Sequence, residues 1–538
     1  MSARVPASDP LSTPDGSLGV RRVGLVLGPA LFLAILIAPG LSLDATQRRV
    51  AAITAWTATW WLTACVPVAA ASLLPAALFP LFGVMGARDV APKYMQDLVF
   101  LFLGAFVIAL GLERWNVHRR IALAILARVG TRPRSLVLGF MIASAFLSFW
   151  INNTSTTLLM LPIGVAVVES VSGDESRARD PFAISLLLGM AYSSSVGGMA
   201  TPVGTAPNQV FLGQLAERYP GAPDFSFGKW MLAWTPLVLL YLPMAWLLLT
   251  RVVLRVPDRG GQGVEVIRAE RERLGPMGRA EKRMATVFCV TAFLWVTRAD
   301  LDLGILRIPG WVHLVLPASI GAPSKFVTDA TVAATMAVLC FLVPADRPGG
   351  PALMDWETAK KMPWEVLLLI GSGFAIAGAF QVSGLDTAFG KSLGPLLEGH
   401  SSWVVVGSVV ILMAALTEIT SNTATTVVLL PVFGQAAVAA GQSPLLFMAP
   451  ATIAASAAFM LPVATPPNAV VFASRRIPAG VMARVGFFMN VLLAVLILCV
   501  FQFLGRRVLG IEDGLPDWAR PVPEASAPQA PGTSQGGK

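Results

Sequence analysis

Ser148-Phe-Trp-Ile-Asn152-Asn153-Thr154-Ser-Thr-Thr-Leu-Leu-Met-Leu-Pro162 is answered 269 positions on (Asn153 to Asn422) by Thr417-Glu-Ile-Thr-Ser421-Asn422-Thr423-Ala-Thr-Thr-Val-Val-Leu-Leu-Pro431. In each copy a proline follows nine residues after the second tip residue, Asn153 or Asn422, and a hydroxyl residue precedes it by five. Each polar knot sits in the middle of an apolar run, 135–168 or 402–440, that is too long for one helix and too interrupted for two ordinary spans. Both runs read as re-entrant hairpins, helix–turn–helix, entering and leaving on one side of a bilayer.

Moving outward, Ala200-Thr-Pro202-Val-Gly204-Thr205-Ala-Pro207-Asn208 is matched by Leu461-Pro462-Val-Ala464-Thr465-Pro466-Pro467-Asn468, and Leu101-Phe-Leu-Gly104 by Leu368-Leu-Ile-Gly371. Three matches in the same order mark an internal duplication. The spans below turn the two halves opposite ways, the inverted-repeat plan of many secondary transporters.

The composition agrees. Of 538 residues 55% are hydrophobic and 13% charged, with mean hydropathy +0.69; soluble domains carry about 25% charged residues. An ordinary soluble protein and a disordered chain are both excluded. Spans of roughly 20 apolar residues are placed at 23–43, 50–65, 67–86, 97–114, 183–213, 229–250, 284–299, 326–344, 363–381, 448–474 and 480–506. That makes an all-α polytopic membrane protein of about eleven helices plus two hairpins.

Orientation follows from the positive-inside rule. Arg114 to Arg134 holds six arginines and no acid, and Arg251 to Arg283 holds nine basic residues against five acids, so both belong in the cytoplasm. The N-terminal tail 1–22 then lies inside, with the first run lacking a cleavage site, and an odd span count puts the C-terminus outside. The Pro/Ala/Gly/Ser-rich stretch within 511–538 reads as a disordered tail. The net charge of +9 belongs to these loops and not to a nucleic-acid surface. Four scattered cysteines and three scattered histidines give neither a disulfide framework nor a zinc site. No nucleophile–base pair, paired carboxylates or phosphate loop is present, so the chain does not read as an enzyme.

The polar breaks carry the function. Proline removes a donor and clashes with the carbonyl four residues back, so the spans 183–213 and 448–474 should each be two half-helices joined by an unwound strand at Pro202–Thr205 and Pro462–Thr465. Backbone left unpaired at bilayer depth is tolerated only where protein or a water-filled cavity satisfies it. Freed carbonyls suit a hard cation, and half-helix N-termini suit an anion. A hairpin tip beside an unwound strand therefore makes a pocket with oxygens for sodium and donors for a carboxylate or sulfate. Either motif alone would read as helix caps and kinks; its duplication with matched spacing favours the site. Glu418, beside the second tip, reads as a buried hydrogen-bonding group or a proton carrier. Glu113, Arg114, Trp115 and His118 to Arg120 read as an interfacial anchor leading into a cytoplasmic helix.

At these residues, with Leu101–Leu123 (Leu-Phe-Leu-Gly…Glu-Arg-Trp-Asn-Val-His-Arg-Arg-Ile-Ala-Leu), the chain resembles the divalent anion/sodium symporter family over about residues 20–510. The resemblance implies sodium-coupled import of a dicarboxylate, citrate or sulfate, with Na+ as coupling ion and no organic cofactor. It implies a first sodium site at Ser148, Asn153 and the backbone near Asn152 and Gly204, and a second at Thr417, Asn422 and the backbone near Ser421 and Ala464. The anion would meet Asn152, Asn153, Thr154, Ser421, Asn422 and Thr423, with Thr205, Pro207, Thr465 and Pro467 lining the walls. It further implies an inner-membrane homodimer moving as an elevator, with scaffold parts 23–134 and 284–401, transport parts 135–250 and 402–510, and a basic cytoplasmic loop 251–283. Asn152 departs from the family's usual serine, adding volume and two donors. The competing readings are an anion exchanger of the same fold and a sodium/proton or metalloid efflux permease.

Overall fold

The computed structural model describes residues 16–520 apart from 39–40, 131, 173–179, 259–262, 303–306, 317–325, 348 and 398. Of the expected tails, 1–15 and 521–538 fall outside the described residues, while 16–22 is not tail but the start of the first helix, Gly16–Ile37. The chain is helical throughout, with one two-residue antiparallel strand pair, Leu301–Asp302 and Arg307–Ile308, among the described residues. Among the described residues, seven helical stretches are long and apolar enough to cross a bilayer, and five more apolar helices are shorter. Short apolar helices are what hairpins and broken spans produce.

Both hairpins form. Pro133–Ser148 turns at 149–152 into Asn153–Ser172, and Ser402–Thr417 turns at 418–421 into Asn422–Ala439. Both broken spans form too. Pro181–Gly197 runs on as a short 3-10 turn, Gly198–Ala200, before the strand that ends at Thr205 and the second half-helix, Ala206–Arg218. Pro444–Ala454 and Pro466–Phe472 are the halves of the other. Every residue from Phe182 to Gly197 is buried, so this span is encased in protein and its interruption is not exposed to lipid.

The Leu-x-x-Gly echo has a packing cause. A Cβ on Gly104 would lie 2.5 Å from the carbonyl carbon of Ala333, and one on Gly371 2.7 Å from Cα of Tyr94. Both glycines let a neighbouring backbone cross at contact distance, as small residues do between membrane helices. The matched spans Asp97–Arg114 and Trp364–Ser383 then end alike: Asn116 (φ 54°) and Gly384 (φ 67°) adopt the left-handed region and redirect the chain into Val117–Val129 and Leu385–Leu397.

Four expectations need correcting. The run 67–86 is not one span but Val68–Ala71 and Leu74–Leu81, because Pro75 lacks the N–H that Ala71's carbonyl requires and its ring crowds that carbonyl. The basic stretch 251–283 is not only loop: Gly263–Leu274 is a helix that buries Ile267, and it is tied to Val117–Val129 by the Arg119–Glu270 ion pair. The next helix starts at Arg279 and not near 284, with Glu281 paired to Arg120 at 3.0 Å. The tail is docked as far as Arg520: Asp517–Ala519 forms a 3-10 turn, and the Trp518 ring packs edge-on against Tyr219, centroids 5.6 Å apart.

Candidate functional site

The first hairpin tip and the first break meet. Ser148, at the end of one hairpin helix, is fully buried and donates its hydroxyl to Asn153 Oδ1 at 2.5 Å. Asn153 begins the return helix, and its backbone carbonyl accepts from Ser194 Oγ at 2.8 Å and Thr157 Oγ1 at 2.9 Å. Two glycines give the proximity. A Cβ on Gly198 would lie 2.6 Å from Asn153 Oδ1 and 3.1 Å from the Gly204 carbonyl oxygen. One on Gly204 would lie 2.5 Å from the Gly198 carbonyl oxygen and 2.9 Å from that of Ser148. Side-chain and carbonyl oxygens of Ser148, Asn153, Gly198 and Gly204 thus converge on one small volume. All are neutral and hard, the donor type that suits Na+. Thr205 sits at its edge, its Cβ 3.2 Å from the position a Gly198 Cβ would take.

Two helix N-termini reach the same place, Asn153–Ser172 and Ala206–Arg218. Both carry partial positive charge, the natural counterpart of an anion. Pro207, buried in the first turn of the second helix, has no N–H to lose there. Asn152 is exposed, and its side chain is tied back onto its own helix. Its Oδ1 caps Ser155 N at 2.8 Å and its Nδ2 donates to Ser155 Oγ at 3.2 Å. Thr154 is half-buried one residue beyond Asn153.

The second tip is built on the same plan with different hardware. Thr417 is fully buried and donates to the carbonyls of Met413 and Ala414 at 3.0 and 3.2 Å. Thr426 Oγ1 donates to the Asn422 carbonyl at 2.7 Å, as Thr157 does to Asn153. Asn422 Oδ1 is buried with no hydrogen-bond partner among the described residues. Ser421 is exposed and Thr423 half-buried. Thr465 caps the second half-helix, accepting from Asn468 N at 3.4 Å; Ala464 and Pro467 are buried beside it.

Glu418 makes the tip-to-strand connection here. Its Oε1 accepts from Phe459 N at 2.8 Å and Met460 N at 3.0 Å, and its Oε2 from Met460 N at 3.1 Å and Leu461 N at 3.2 Å. Asn490 Nδ2 adds a fourth donor group at 2.5 Å. In the first repeat the equivalent backbone is held by the 3-10 turn Gly198–Ala200. In the second the helix stops at Ala454 and a carboxylate takes the liberated N–H groups. Of the two roles open to Glu418, the structure places it in the hydrogen-bonding one.

The repeats interlock. Tyr192 of the first broken span donates to the Phe459 carbonyl of the second break at 2.9 Å. Gln214 of Ala206–Arg218 donates to the Val427 carbonyl of the second hairpin at 2.9 Å. In mirror fashion, Pro466–Phe472 packs on the first hairpin's return helix, and Arg476 pairs with Glu169 of that helix at 2.6 Å. Asn208 and Asn468, which the sequence motif contained without a role, bridge the two breaks. Each donates Nδ2 to carbonyls ten and seven residues earlier: Gly198 and Thr201 at 3.0 and 2.8 Å, Ala458 and Leu461 at 3.0 Å each. Their signal was the Asn closing each Pro-containing match.

Among the described residues no cluster of three or more His, Cys, Asp or Glu side chains could hold a metal ion; the convergent oxygens are backbone, amide and hydroxyl. The fold is similar to that of solved transporters. The YdaH transporter of Alcanivorax borkumensis superposes with TM-score 0.50 at 14% identity, covering 91% of this chain and 98% of that one. MtrF of Neisseria gonorrhoeae superposes with TM-score 0.53 at 12% identity, covering 78% and 83%. In sequence, a sodium-dependent dicarboxylate transporter, SdcS, of Staphylococcus saprophyticus is 39% identical over 500 residues, 91% of this chain and 92% of the relative. SdcS of Staphylococcus aureus is 38% identical over 504 residues, 92% and 93%. The profile of the sodium:sulfate symporter transmembrane region matches residues 20–511. A duplicated helical membrane protein whose hairpin tips meet its broken spans, matched along nearly its whole length, this chain belongs to the sodium:sulfate symporter family of multi-pass transporters.

Proposed function

We propose that this protein is a secondary active transporter coupling sodium entry to import of a divalent anion, a C4-dicarboxylate. The observation that carries the reading is the convergence of the Ser148, Asn153, Gly198 and Gly204 oxygens where two helix N-termini also meet. The relatives' description as sodium-dependent dicarboxylate transporters supports the choice of ion and cargo. The family's own description leaves sulfate as the competing dianion.

In this reading Na+ is a co-substrate. It binds between Ser148, Asn153 and the Gly204 carbonyl, and a second ion between Thr417, Asn422 and the Ala464 carbonyl. The unpartnered Asn422 Oδ1 supports that assignment, since a buried amide oxygen without a donor is costly unless something occupies it. The dianion bridges the two tips through Asn153, Thr154, Asn422 and Thr423, between walls of Thr205, Pro207, Thr465 and Pro467. Asn152 and Ser421 stand at the rim. Bound sodium offsets the anion's charge, so no buried arginine is required. Each net charge moved down a membrane potential contributes about 2.3 kcal/mol per 100 mV, enough for well over tenfold accumulation. The transport parts 135–250 and 402–510 carry the load past scaffold parts 23–134 and 284–401 in a homodimer of the inner membrane, N-terminus cytoplasmic and C-terminus outside. Glu418, the carboxylate a cation exchanger would use, is occupied by backbone donors.

The test is uptake of labelled succinate and sulfate into liposomes under an imposed sodium gradient. Sodium-dependent succinate uptake is expected, and Asn153→Ala and Asn422→Ala should each abolish it in folded protein. No sodium-dependent uptake of any dianion refutes the coupling; uptake that needs internal substrate but not sodium identifies an exchanger. Wild-type uptake by either variant refutes the site.

A further inference from the structure

Two amides hold the breaks open. Asn208 and Asn468 are both fully buried, and an Asn amide has two N–H groups. In each repeat these go to the carbonyls that open and close the first turn of the unwound strand: Gly198 and Thr201, Ala458 and Leu461. Four hydrogen bonds thus repeat at a fixed offset of 260 between positions in the two halves (Asn208 to Asn468, Gly198 to Ala458, Thr201 to Leu461). Residues that merely filled space would not need to reproduce both acceptors.

The first of these carbonyls lies at the cation pocket. The Gly198 oxygen faces Gly204, 2.5 Å from where a Cβ there would stand. Asn208 therefore takes a lone pair of a carbonyl in the pocket wall and fixes its direction. Ala458 holds the matching place in the second repeat, with Ala464 following. The carbonyls left for a cation are those further along, Gly204 and Ala464, whose distance from the hairpin tip depends on how the strand is pinned. Among the described residues no other side chain donates to the Gly198 or Thr201 carbonyl, although in the first repeat the Thr201 hydroxyl also ties the segment to the Phe149 carbonyl and accepts from Gly204 N at 3.1 Å.

We infer that Asn208 and Asn468 are a matched pair of positioning residues that set sodium affinity, one for each half-site, by pinning the unwound strand that presents the Gly204 or Ala464 carbonyl. The inference rests on the proposed sodium coupling, and the groups acted on are backbone oxygens, so the effect should fall on the ion before the anion. Hydrogen-bonding groups behind metal ligands commonly control affinity by roughly 10- to 100-fold.

The experiment measures sodium activation of succinate uptake, and succinate KM at saturating sodium, in reconstituted wild type, Asn208→Leu and Asn468→Leu. Leucine keeps the volume and removes both donors. The sodium concentration for half-maximal uptake should rise roughly tenfold in each variant, with succinate KM at saturating sodium held within about twofold. Hydrogen exchange in peptides spanning 198–204 or 458–464 should quicken only in the repeat that was altered. Should a leucine variant not fold, Asn208→Ser and Asn468→Ser, which can serve at most one carbonyl, carry the same expectation with a smaller shift. An unchanged sodium requirement overturns the inference. So does equal loss of sodium and succinate affinity, which marks general packing damage. Absence of sodium dependence in the wild type would instead refute the transport reading itself.

Discussion

Adding one methyl group at Gly204 tests the site at its tightest point. The alanine Cβ would stand 2.5 Å from the Gly198 carbonyl oxygen, 2.8 Å from Gly198 Cα and 2.9 Å from the Ser148 carbonyl oxygen. All three neighbours are backbone, so no rotamer change relieves the contact, and the strand must retreat by roughly 1 Å to restore ordinary separation. Overpacking of this kind costs about 1–3 kcal/mol. If that strain is relieved by moving the Gly204 carbonyl off the hairpin tip, sodium affinity falls between about fivefold and about a hundredfold at 1.4 kcal/mol per decade. The assay is the sodium activation curve of uptake at fixed succinate, run beside thermal unfolding of purified protein. Gly480→Ala is the control: nothing lies within 4 Å of its Cβ position, and its stability should change by less than about 0.5 kcal/mol. Gly204→Ala with a wild-type sodium curve would show that no cation sits at this convergence.

Two more predictions concern the frame around the site. Burial holds the His118 imidazole down at about 4, helped by Arg119 and opposed by its hydrogen bond with the Leu112 carbonyl. The unfolded group titrates near 6.5, so its contribution to stability is whole above that pH and is lost as pH falls toward 4, by about 3 kcal/mol at most. His118→Gln should flatten the melting temperature between pH 6.5 and 4 relative to wild type; parallel curves would refute this. Arg218 and Asp386 form a buried ion pair between the end of the first broken span and Leu385–Leu397. Arg218→Met or Asp386→Leu alone should cost about 3–5 kcal/mol by stranding a charge, while the double variant recovers most of it. Additive losses in thermal unfolding would contradict a pairing role.

The breaks and tips were legible because each is announced twice by residues that membrane helices otherwise avoid in that order. Prolines 202 and 462 located the unwound strands to within a few residues, and the duplicated Asn-Thr tips located the hairpin turns. What stayed hidden depends on distant partners. Nothing near Glu418 in sequence says that Phe459–Leu461 will offer it three N–H groups, and Tyr192 gives no sign of reaching Phe459. Asn208 and Asn468 were visible as motif letters, yet their carbonyl partners appear only once the strand has turned back. Gly263–Leu274 reads as loop in sequence because its charges mask a single buried stripe. The 67–86 run reads as one span because its apolarity outweighs Pro75.

A Cβ on Gly197 would lie 2.3 Å from the Ala145 carbonyl oxygen, and one on Gly486 2.2 Å from that of Phe459. At both seams main chain rests directly on main chain, with no side-chain cushion between to shear. Such joints behave as welds: the first fixes the hairpin helix Pro133–Ser148 to the half-helix Pro181–Gly197, the second fixes Ala479–Val500 to the unwound segment ahead of Pro466–Phe472, and in the proposed transport cycle each pair moves as one body. In the proposed cycle that rigidity opposes slippage between driver and cargo, the failure that would let sodium run through unproductively.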